Sequence, residues 1–186
     1  MDVLEALRTR RSIGRLSGDV DGAQLRELVE AGAWAPNHKL TRPWRFTAVR
    51  GDARERLGAL WSALVCAEAD VAGEDLENLR SRERRKPLRA PLLLFVSTRT
   101  DPDPVVAIED FAATSAAVQN VLLAAHARGL GAIWRTGEMA YRSEVNEFLG
   151  LEPSDRIVGI VYVGTPAMEA PKTMPRDVDS VLRVIE

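Results

Sequence analysis

A three-layer α/β or α+β architecture is predicted by three features of the sequence. Two continuous apolar runs of strand length, PLLLFVST (91–98) and RIVGIVYVG (156–164), read as buried strands. Two shorter β-rich stretches, WRFTAVR (44–50) and GAIWRT (131–136), read as further strands. Segments of helical period lie between all four. The order of strands in the sheet is not readable from one sequence. With no repeat, low-complexity tract or linker, residues 1–186 are predicted to form a single domain, of a size that suits one core or one protomer of a dimer.

The elements follow in order. Val3, Leu4 and Leu7 predict a short helix over 2–10, with Arg8 and Arg10 in the last turn, where the helix dipole favours cations. Asp21 followed by Gln24 forms a possible capping box for a second helix, with Leu25, Leu28 and Val29 facing inward. APNHKLTRP (35–43) is a loop. Residues 52–70 and 74–85 are helical by pattern, the second strongly charged. Residues 105–128 predict a long helix, apolar almost all round its first two-thirds and closed by Gly129, which belongs in a core or a subunit interface. Residues 142–149 form a helix stopped by Gly150, and APKTMPRDVDSVLRVIE reads as an extended arm.

Composition excludes several functions. A formal net charge of -2 and a pI near 5.8 argue against a general nucleic-acid binder. Cys66 is the only cysteine, so no intrachain disulfide and no multi-cysteine zinc site can form. His38 and His126 are the only histidines, and a protein-only metal cage would rely on carboxylates; no metal is expected. The first residues lack the basic-then-apolar order of a secretory signal, and Glu109, Asp110, Gln119 and Asn120 interrupt the most apolar stretch. No membrane association and a cytoplasmic location are therefore expected.

There is no Gly-rich dinucleotide fingerprint, P-loop, HExxH or GxSxG. Three stretches remain. RTRRSIGRL (8–16) gathers Arg8, Arg10, Arg11 and Arg15 beside Ser12. Guanidinium forks and a hydroxyl suit a phosphate, yet a solvated helix terminus reads equally well. In WAPNHK (34–39), His38 either donates to a ligand or sits in water. In WRTG (134–137), Arg135 and Thr136 leave a strand end after Trp134, as ligand contacts or as a cap on the sheet. RSRERRKPLR (80–89) alternates with acids and reads as a solvated helix face. His126, close to a helix C-terminus, suits the dipole.

RRS (10–12), APNHK (35–39) followed by PWRF (43–46), SAAVQNVLLAAHARGLGAIWRTG (115–137) and IVGIVYVGTP (157–166) stand in the order and spacing of one family. From Asp2 to Pro166 the chain resembles the FMN-dependent nitroreductases, above all their compact, YdjA-like branch. The resemblance implies an α+β fold with a central, mostly antiparallel sheet flanked by helices. It also implies an intertwined homodimer with an extended C-terminal arm and FMN at the subunit interface. By that resemblance Arg10, Arg11 and Ser12 grip the FMN phosphate and ribityl chain. His38 reaches the flavin from the other subunit, and Trp134, Arg135 and Thr136 border the isoalloxazine and ribityl region. Trp34 stands where the compact relatives carry an arginine; it is expected at the flavin edge or as a roof over the site, the alternative being a buried staple after the second helix. Lys172 and Arg176 are both candidates for the C-terminal cation directed at the phosphate.

The function implied is reduction of nitroaromatic or quinone-like acceptors with NAD(P)H, by ping-pong hydride transfer through FMN. The partners are then a second copy of the chain and a small-molecule electron acceptor, with no nucleic acid. Alternatives are another flavin reaction on the same fold (dehalogenation, flavin fragmentation or enoate reduction), a flavin-binding protein without turnover, or an interaction protein.

Overall fold

A computed structural model describes residues 1–186. Six helices and five strands run α1 (Val3–Thr9), β1 (Leu16–Ser17), α2 (Gly22–Ala33), β2 (Trp44–Arg50), α3 (Asp52–Glu68), α4 (Gly73–Arg84), β3 (Leu92–Thr98), α5 (Pro104–Ala127), β4 (Gly131–Arg135), α6 (Ser143–Leu149) and β5 (Arg156–Pro166). Every strand pairing is antiparallel, and β5 is the hub: it pairs with β1, β3 and β4, while β2 pairs with β3. The sheet is therefore that of an α+β protein. The two-residue β1 escapes sequence reading because a pairing that short has no period of its own.

Period-2 alternation divides the interior into two cores. Leu92, Leu94 and Val96 of β3 point to one face, where they meet Leu28 of α2 and Val118, Val121 and Leu122 of α5. Leu93 and Phe95 point to the other, against Leu57 and Trp61 of α3, Val145 of α6 and Tyr162 of β5. Burial of β3 and of most of β5 on both faces explains why they read as unbroken apolar runs.

The helix signals act as expected. Asp21 and Gln24 form the reciprocal capping box of α2. Asp103 caps α5, Pro104 occupies its first turn, and Gly129 leaves it with a φ of +73°. The apolar helix α5 divides along its length. Its first third leaves Val105, Ile108 and Phe111 exposed, and the buried residues begin with Asp110 and run on to Ala125. Beyond Pro166 the chain carries no helix or strand, and Val178, Val181, Leu182, Val184 and Ile185 are exposed along it. No helix is long and apolar enough to cross a membrane.

Helices α3 and α4 approach backbone to backbone at Gly58, where an added Cβ would stand 2.3 Å from the carbonyl oxygen of Arg84. Gly58→Ala must push α4 away and is expected to cost about 1–3 kcal/mol. Gly22→Ala, at a helix start with nothing within 4 Å of the added carbon, is the neutral control. Urea unfolding of the two variants measures the difference; equal stabilities would contradict this contact.

Candidate functional site

The arginine cluster acquires its geometry from α1. Arg10 caps the helix, donating its backbone N–H to the Ala6 carbonyl, and Ile13 N–H then bonds the Ala132 carbonyl, which ties the segment to β4. Between α1, the C-terminal end of α5 and the chain just past β5 lies a cavity of about 360 Å³, with Arg10, Arg11, His126 and Met168 in its wall. The Arg11 guanidinium is engaged: it donates to the carbonyls of Arg8 (2.9 Å) and Arg10 (2.6 Å) and to Thr173 Oγ1. Arg10 has no side-chain hydrogen bond or ion pair. Burial, and then the neighbouring Arg11 charge, hold its pKa below the ordinary arginine value. A half-buried cation with no counter-charge in its own chain can meet an anion from outside it. Ser12 lies exposed beside this cavity and does not line it.

Of the other expected members, Arg135 and Thr136 line a second cavity, of about 190 Å³, on the α3 side of the sheet. Arg135 stacks over the Tyr162 ring, 5.5 Å from its centroid. Burial pushes the Tyr162 phenol up to about 12, against the opposing pull of Arg135 and Arg89. Two buried donors here, Trp61 Nε1 and Arg135 Nε, lack partners. Trp134 faces the opposite way, into the α5-side core, and lies across Gly159, whose missing Cβ makes room for the indole. Strand alternation thus separates Trp134 from Arg135, which the WRTG reading had grouped.

Two cations of this cavity were missed. In RSRERRKPLR, read as a solvated face, Glu83 is only 2% exposed. Lys86 pairs with it, Arg82 Nε stands 3.3 Å from it, and Lys86 and Arg89 both line the cavity. The usable signal was the three-residue spacing 83, 86, 89 around Pro87, the repeat of the 3₁₀ turn at Lys86–Arg89. The turn after β4 is held by Arg142, whose guanidinium bonds Glu68 and Glu138. Those bonds hold Arg142 above its ordinary pKa and Glu68 below its own.

The loop after α2 is clamped onto α5. His38 Nδ1 lies 2.7 Å from Glu109 Oε2, and Thr41 Oγ1 donates to the buried Asp110 Oδ1 at 2.6 Å. Lys39, Leu40 and Arg42 adopt positive φ (50°, 56° and 46°), strain that a non-glycine loop holds only when its anchors impose it. Trp34 is 80% exposed, so within the protomer it is not the buried staple. Glu109 and His126 stand seventeen residues apart on α5, about 25 Å at the helical rise. The His38 loop and the Arg10 cavity thus attach to α5 about five helical turns apart. Lys172 and Arg176 are exposed in the tail, which the Thr173 contact brings back to Arg11.

The protomer is an antiparallel sheet with helices on both faces and two cavities at its margins, one walled by Arg10 and Arg11 and the other by Lys86, Arg89 and Arg135 with Glu83 and Glu138. The chain belongs to the nitroreductase family, whose model matches residues 7–165. It is 37% identical over 172 residues to a protein of Escherichia coli K12 provisionally named NAD(P)H nitroreductase YdjA, covering 91% of each chain. The crystal structure of a nitroreductase-like family protein from Bacillus cereus superposes with a TM-score of 0.85 at 30% identity, covering 100% of this chain and 97% of that one. A provisionally assigned nitroreductase from Desulfovibrio desulfuricans, solved in complex with FMN, does so at 0.74 and 27% identity, over 100% and 98%.

The clamp on α5 is open to direct test. Thr41→Val leaves the Asp110 carboxylate buried without its donor and is expected to cost about 1–3 kcal/mol of stability. Chemical denaturation measures it, and an unchanged midpoint would show that Thr41 does not anchor the loop.

Proposed function

We propose that this protein is an FMN-dependent oxidoreductase that uses NAD(P)H to reduce nitroaromatic or quinone-like acceptors, acting as a homodimer. The observation that carries this reading is Arg10: a half-buried guanidinium in a cavity wall, lacking a counter-charge in its own chain. A phosphate monoester supplies that charge, and the unpartnered donors of the second cavity suit a polar ring system. The residues present therefore fit FMN. When bound, FMN supplies two-electron chemistry, accepting a hydride from NAD(P)H and passing it to the acceptor in a ping-pong cycle.

The chain's own residues bind and bias. Arg10 and Arg11 would hold the phosphate, with Ser12 as an added donor and Lys172 or Arg176 drawn in by the tail. Arg89, Arg135 and Thr136 would serve the ring and ribityl portion, the two guanidiniums favouring a reduced, anionic cofactor, while Lys86 neutralises Glu83. Trp134 supports that strand from the opposite face. Two features support a dimer. The His38 loop lies at the end of α5 remote from the Arg10 cavity, so it joins such a site only from a second copy. Val105, Ile108 and Phe111 on α5, with the apolar residues of the tail, leave surface that a partner would cover.

Arg10→Ala removes a charge-assisted hydrogen bond worth about 1.5–3 kcal/mol and is expected to weaken FMN binding by roughly tenfold to a hundredfold. Flavin absorbance retained after dialysis measures this, and full retention would remove Arg10 from the site.

Trp34, exposed on the same loop as His38, would stack on a flat acceptor. Trp34→Ala should raise the acceptor KM several-fold, since stacking contributes about 0.5–1.5 kcal/mol, and leave flavin content unaltered. A lowered melting temperature with an unchanged KM would instead give Trp34 a purely structural role.

A further inference from the structure

His126 lies in the wall of the cavity that Arg10 and Arg11 share, and its ring is anchored by Thr9. The Thr9 hydroxyl has one proton and donates it to the Glu5 carbonyl at 2.7 Å. In that arrangement it accepts from His126 Nε2, 2.8 Å away, so Nε2 carries a hydrogen and Nδ1 is the nitrogen left to gain or lose one. A helix-terminal histidine that merely answered the dipole would not need this anchorage beside two arginines.

We propose that His126 completes a phosphate-binding wall with Arg10 and Arg11, and takes up a proton when the phosphate of FMN binds there, so that its side chain holds FMN more tightly as pH falls. This rests on the reading that FMN is the ligand. Burial, then the charges of Arg10 and Arg11, hold the imidazole below its ordinary pKa, while Glu5 pulls weakly the other way. The other groups around it are the chain's first residue, Met1, and the apolar Met168 and Ala170 of the tail; Arg128, two residues on, is paired with Glu27 at 3.0 Å. A phosphate dianion against the arginines cancels the repulsion and adds an acceptor. The bound form then carries more protons at His126 than the free form, so by linkage this residue's contribution to affinity rises on acidification. Without the anion the sign reverses. A histidine whose pKa is depressed by folding stabilises the fold above its unfolded value near 6.5, and that contribution is lost as pH falls.

The phosphate's own second ionisation near 6 weakens binding in the same range, so the comparison must be with a variant that shares it. Dissociation constants for FMN and riboflavin are measured by flavin fluorescence quenching between about pH 5.5 and 8, for the natural protein and His126→Gln. The FMN affinity ratio of natural protein to variant is expected to be about tenfold larger at the acidic end, the effect of a tenfold change in proton affinity; the riboflavin ratio stays flat. A flat FMN ratio overturns the role of His126 while leaving the FMN reading intact. Equal affinity of the natural protein for FMN and riboflavin overturns that reading of the cavity and the inference with it. A direct readout stands beside these: with two histidines in the chain, the imidazole proton signals absent from His126→Gln are those of His126 in the natural protein. Their titration midpoint must rise when FMN is added, and an unmoved midpoint refutes proton uptake.

Discussion

The long antiparallel strand β5 is the constraint on which the rest of the structure depends. It pairs with three of the four other strands and is buried from Ile157 to Gly164. Both cores are built against it, Val158, Val161 and Val163 serving one and Ile160 and Tyr162 the other. Both cationic cavities hang from the same strand. Tyr162 lies under Arg135 in one, and Pro166, at its C-terminal end, walls the other beside Arg10. A slip of β5 by one residue would exchange its two faces and dismantle both.

Helix α5 is the second determinant, and it acts through length. Its 24 residues keep His38, fixed at Glu109, far from Arg10, fixed near His126. The rigidity that separates these groups in one chain would bring them together across two, provided that the exposed start of α5 and the apolar tail meet a second copy. In a chain of net charge -2, Arg10 and Arg11 in one cavity wall and Arg89 and Arg135 in the other are the cations that the proposed function would use.

The parts of the fold legible in the sequence were those with long periods or reciprocal chemistry. The apolar runs of β3 and β5 and the Asp21–Gln24 box of α2 are examples. β1 was invisible because two residues show no alternation. The candidate site divided along the same line. Arg10 and Arg11 stood out because like charges held together ask for a counter-charge, while the sequence left a solvated helix terminus equally open. The opposite facing of Trp134 and Arg135 could be seen only once β4 had a register. Lys86 and Arg89 were hidden in a charged stretch that looked solvated: burial of Glu83 depends on α3 packing against it, and only the three-residue spacing 83, 86, 89 hints at it locally. His126 acquires its meaning from Thr9, which is 117 residues away.

The central claim is that one FMN binds with its phosphate in the Arg10 cavity and its ring between two copies of the chain. A crystal structure of the protein purified with FMN tests this most directly. The account predicts a dimer in which the phosphate accepts hydrogen bonds from Arg10 and lies against His126, with His38 of the second copy facing the ring. A monomer, or a flavin whose phosphate sits away from Arg10, would contradict it.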